Sequence, residues 1–91
     1  MSAKYPLTGY GVMAKKHWTE FCPRLVKQLE AQGKLEEALY EAQETTLDEM
    51  EALISKLEKE QHLTPQQAHN EAWELIREKY ILLPPEEDQN D

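Results

Sequence analysis

The sequence predicts an all-α protein, a small bundle of about four helices built around one long central helix. Two observations carry this. The stretch 33–61 has no proline and no glycine after Gly33, and its apolar residues recur at helical spacing. The prolines and remaining glycines fall at the edges of three shorter periodic stretches, where they punctuate rather than interrupt. The expected helices span 10–21, 23–32, 34–61 and 65–82.

Residues 1–9 contain Pro6 and Gly9 and show no periodicity, so they read as an extended arm. In 10–21, Tyr10, Met13, Ala14, His17, Trp18 and Phe21 form an apolar stripe, with Lys15, Lys16 and Glu20 off it. Trp18 reads as core, and His17 as a structural histidine at the stripe's edge. Pro23 removes an amide donor and disfavours helical geometry at Cys22. It suits the first position of a new helix with Leu25, Val26 and Leu29 inward, and a kinked continuation of the first helix is the alternative. Gly33 either closes that segment in a left-handed conformation or starts the next as an N-cap.

The long helix is about 40 Å at 1.5 Å per residue. Leu35, Leu39, Ala42, Thr46, Met50, Leu53 and Leu57 step by fours and threes, and Tyr40, Leu47 and Ile54 widen the stripe on one side. Such a face is broader than one thin partner covers. Leu39, Leu47, Met50, Ile54 and Leu57 are therefore the expected interaction residues. The opposite face carries Glu37, Glu41, Glu44, Asp48, Glu51, Glu58 and Lys59, and its carboxylates read as solvated or as a surface for a basic partner. Thr64, Pro65 and Gln67 then form a capping-box start for the last helix. Its inner face is outlined by Ala68, Ala72, Leu75, Ile76, Lys79 and Leu83, flanked by Trp73 and Tyr80. Pro84 and Pro85 stop it, and 84–91 reads as a disordered acidic tail.

Ninety-one residues make one small domain, 10–83, whose limited core favours self-association. A homodimer is expected. The net charge of −8 is uneven. Residues 1–34 hold six Lys/Arg and two Glu, giving +4; residues 35–91 hold four Lys/Arg and sixteen Asp/Glu, giving −12. Either the basic third packs beside the acidic helix, or it touches nucleic acid through Lys15, Lys16, Arg24 and Lys27. The acidic surface could also act as a decoy for a nucleic-acid-binding protein. One cysteine excludes an intrachain disulfide, and Cys22 reads as a buried thiol. No stretch approaches 18 apolar residues and no signal peptide is evident, so no membrane partner is expected and the location reads as cytoplasmic.

No catalytic, metal or cofactor constellation is legible. The residues three before His17, His62 and His69 are Ala14, Lys59 and Gln66, so the Glu-x-x-His pairs of bundle metal sites are absent. Neither Ser2, Ser55 nor Cys22 has a required His and acid beside it. The chain is not expected to be an enzyme.

Residues 9–57 carry Tyr10-Gly11-x-Met13-x-Lys15-Lys16, then Pro23-x-Leu25, then Gln28-Leu29-x-x-x-Gly33-Lys34-Leu35, then an acidic amphipathic helix. This resembles the transposon-encoded TnpV-type family, with Gln32 where that family has serine. The last helix departs, having Ala72-Trp73-Glu74-Leu75-Ile76 in place of a Trp-Val-Gly-Met-Asn-Asn-type segment. The resemblance implies a small helical accessory protein of bacterial mobile elements and brings no functional residues with it.

Overall fold

The computed structural model describes residues 5–86, and these form four helices and no strand. They are α1 (Gly9–Phe21), α2 (Pro23–Ala31), α3 (Leu35–Gln61) and α4 (Pro65–Tyr80). α3 is unbroken over 27 residues, as its sequence requires. It packs most extensively against α4 and next against α1.

The boundaries follow local chemistry. Cys22 alone leaves helical geometry (φ −131°, ψ 54°), so Pro23 breaks the chain into two helices rather than kinking one. Gly33 adopts φ +69°. The Lys34 N–H donates to Leu29 O at 2.8 Å and the Gly33 N–H to Glu30 O at 3.0 Å, the paired bonds of a Schellman ending. At the start of α4, the Gln67 N–H donates to Thr64 Oγ1 at 3.2 Å and the Thr64 N–H to Gln67 Oε1 at 3.1 Å, completing the expected capping box.

Two apolar clusters share α3. One joins Ala14, Trp18, Cys22, Val26, Leu39, Ala42 and Ile81. The other joins Met50, Leu57, Ala68, Ala72 and Ile76, and Trp73 and Tyr80 pack against both. Ala68 and Ala72 are fully buried, so α4 approaches α3 on methyl groups. That seating turns Leu75 outward to 61 % exposure and leaves Lys79 exposed, against the expectation that both face inward. α1 likewise seats on Gly11, Ala14 and Trp18, which leaves Met13 and Phe21 about two-fifths exposed. Phe21 instead packs its ring on that of His17, 4.6 Å away.

The expected free tail does not begin at Pro84. Residues 81–86 form a strap across the junction of α1 and α2. Trp18 Nε1 donates to Ile81 O at 3.0 Å, His17 Nε2 lies 2.7 Å from Leu83 O, and the Cys22 thiol reaches Pro84 O at 3.6 Å. The Glu86 N–H donates to Phe21 O at 2.9 Å. The Glu86 carboxylate then accepts the Arg24 and Leu25 N–H groups at 3.1 and 2.9 Å. α2 begins without a Ser, Thr, Asp or Asn cap, and Glu86 supplies the missing acceptor from 61 residues away. The rest of the expected tail, 87–91, and the first four residues of the expected arm lie outside the described residues.

The molecule is a slab of 45 × 41 × 15 Å. Its radius of gyration is 15.3 Å, against about 12 Å for a compact chain of this length. Flatness leaves much surface per residue, and the faces of the slab are where function is to be sought.

Candidate interaction surface

Of the five expected interaction residues, Leu39, Met50 and Leu57 are buried in the protein's own core at 0 %, 3 % and 6 % exposure. They hold α1 and α4 to α3, because the centre of a helical stripe is what intramolecular neighbours cover first, and of the three only Met50 reaches the groove described next. Leu47, at 42 % exposure, and the half-buried Ile54 remain open, on the side that widened the stripe.

These two line a groove of about 590 Å³. Tyr10, Leu47, Met50 and Ile54 form its apolar floor, and Asp48, Glu51 and Glu58 stand on its rim. His69 closes it on the α4 side. Tyr10 is held there by stacking on Trp73, with ring centroids 5.1 Å apart. No lysine or arginine among the described residues lines it.

A second groove flanks α3 and α4 elsewhere, with Ala52, Leu53, Leu75 and Ile76 as apolar lining. Its charges are mixed: Glu49, Lys56 and Lys79. Glu49 accepts the Tyr80 hydroxyl at 2.5 Å and Lys79 Nζ at 3.4 Å. The Tyr80 hydrogen bond, chiefly, holds the Glu49 carboxyl below its ordinary value, against partial desolvation and with help from Lys79. The same bond, with lesser desolvation and charge effects, pushes the Tyr80 phenol up.

All four expected nucleic-acid contacts lie at the surface, and one of them is engaged within the protein. Lys15 pairs with Glu36 at 3.6 Å. Lys16, Arg24 and Lys27 are exposed. The amides at the start of α2, where a phosphate would otherwise dock, are taken by Glu86. Cys22 is buried, and burial first and the Glu86 charge second push its thiol up, which disfavours the reactive thiolate. Among the described residues no group of three His, Cys, Asp or Glu is placed to hold a metal, and no helix is long and apolar enough to cross a membrane.

Comparison with protein-family models, curated proteins and solved structures finds no match.

Sequence reasoning missed Tyr10, His69, Gln43 and Glu86. Gln43 had a signal: it lies four residues after Leu39 and three before Thr46, squarely on the apolar stripe. It is 2 % exposed and pins the arm, accepting the Thr8 N–H at 2.5 Å and donating to Pro6 O at 3.2 Å. Glu86 had an indirect one, the absence of a local cap before Pro23. Tyr10 and His69 had none, since neither helix's own periodicity says what lies across α3.

Proposed function

We propose that the chain is a small non-enzymatic interaction protein that works through its helical faces and associates as a homodimer. The observation that carries this is the slab itself. Leu75 and Val12 are 61 % and 57 % exposed, and two apolar grooves flank α3. The flank around Ala52, Leu53 and Leu75 suits contact with a second copy, because its rim offers both signs of charge and a projecting leucine beside a small residue. A stable dimer buries about 800 Å² per partner, roughly one eighth of the 6425 Å² this chain exposes. The resemblance at 9–57 supports placing such a protein among the accessory proteins of bacterial mobile elements, and the acidity of its longest helix fits service as a decoy surface.

Sedimentation of the purified chain across a wide concentration range tests the reading. A concentration-dependent dimer that Leu75→Glu turns into a monomer is expected. A strict monomer throughout refutes self-association. The exposed Lys16, Arg24 and Lys27 favour one second reading, contact with nucleic acid. It requires duplex binding that weakens steeply with salt, and no shift at low salt removes it.

A further inference from the structure

The acidic groove calls for a different occupant from the mixed-charge flank. Its α3 side, from Leu47 on the floor to Glu58 on the rim, is about 16 Å long, or three turns of a docked helix. Such a length seats apolar side chains at i, i+3 or i+4, and i+7. Its volume of about 590 Å³ admits a short row of them. The rim selects the charge of the occupant. Asp48, Glu51 and Glu58 stand along it, no lysine or arginine among the described residues lines the groove, and residues 35–91 carry a net −12. A second acidic copy, a nucleic-acid phosphate or an anionic lipid surface would meet like charge there. A helix with an apolar stripe bordered by lysine or arginine would meet opposite charge on the rim and apolar surface on the floor.

We infer that this groove is the docking site for a cationic amphipathic helix of a partner protein. The inference rests on the reading of the chain as an interaction protein and adds the chemical class of the partner. Leu47 is the floor contact: it is 42 % exposed, next to Asp48 and across from Tyr10. Tyr10 is fixed on Trp73 before anything binds, so that end of the groove is preformed.

The test uses the full chain and two labelled helical peptides of about fourteen residues, roughly 21 Å long. Both carry the same leucine stripe, one with lysines and the other with glutamates. Fluorescence anisotropy is expected to show saturable binding of the lysine peptide, weakening with salt, and none of the glutamate peptide. Asp48→Lys with Glu51→Lys is expected to weaken binding by about tenfold or more. The control, Glu71→Lys with Glu74→Lys on the exposed side of α4, changes net charge equally and is expected to leave affinity within about threefold. Leu47→Gln, at a position exposed enough to leave folding intact, is expected to cost several-fold. Equal losses in the rim and control pairs reduce the effect to overall charge and overturn the site. Failure of the lysine peptide to bind overturns the inference; if the chain still sediments as a dimer, the interaction reading survives alone, and if it sediments as a monomer, both fall.

Discussion

Gly11 and Gly9 lie two residues apart in α1, yet the same substitution should move stability in opposite directions. A Cβ on Gly9 meets nothing within 4 Å. A Cβ on Gly11 would strike the Gln43 Oε1 atom and come within 2.9 Å of Leu7 Cδ2 and 3.0 Å of Leu7 Cβ. Gln43 cannot swing away freely, because its amide accepts from Thr8 and donates to Pro6. Overpacking of this kind costs about 1–3 kcal/mol, and displacing a buried hydrogen-bonding group costs about 1–3 kcal/mol more. Alanine returns about 1 kcal/mol over glycine inside a helix. Gly11→Ala should therefore be destabilised by about 1–5 kcal/mol, while Gly9→Ala should gain about 0.5 kcal/mol. In a chain of this size 1 kcal/mol moves Tm by about 4–8 °C. Thermal melts followed by circular dichroism, with urea titrations to confirm that m is unchanged, would read both. A Gly11→Ala protein as stable as Gly9→Ala would refute the placement of the arm against Gln43.

Thr46 is fully buried and its hydroxyl has no hydrogen-bond partner among the described residues, so Thr46→Val should raise stability by about 1 kcal/mol in a urea titration. Glu86→Ala removes the acceptor for two amides of α2 and should cost about 1–2 kcal/mol. The same change should speed thiol labelling of Cys22, whose sulfur the strap covers, and unchanged labelling would show that the strap does not shield it. The Glu49–Tyr80 bond should shape the pH profile of stability. Its lowered carboxyl stabilises above the ordinary value near 4.5 and loses that contribution as pH falls through the folded value; its raised phenol loses its contribution as pH climbs past about 10. Tyr80→Phe should thus flatten the profile at both ends, and identical profiles would refute the bond's role.

The helices were legible because each boundary is written in local chemistry: Pro23 after a lone Cys22, Gly33 at positive φ, Thr64 and Gln67 around Pro65. The inner faces were legible only where one neighbour covers a helix. Leu75 and Met13 sit on plausible stripes, but the alanines of α4 and the glycine and alanine of α1 seat those helices off-centre. Leu47 and Ile54 were readable as the outer margin of the α3 stripe, while Leu39, Met50 and Leu57 belonged to its centre and were consumed by the fold. The strap was hidden because its bonds join backbone carbonyls near one end of the chain to side chains near the other, and no periodicity encodes such pairs.

That closure sets an order of events during synthesis. When α1 and α2 leave the ribosome, the Trp18 indole and the first amides of α2 have no acceptors yet; those lie 61 to 63 residues further along the message. At translation rates of 5–20 residues per second the wait is roughly 3–12 s. The α3–α4 hairpin, which needs only its own nearby turns, can be in place before the first elbow of the chain is sealed. A nascent protein cut short at codon 85 would carry every described helix and still lack the carboxylate that caps α2.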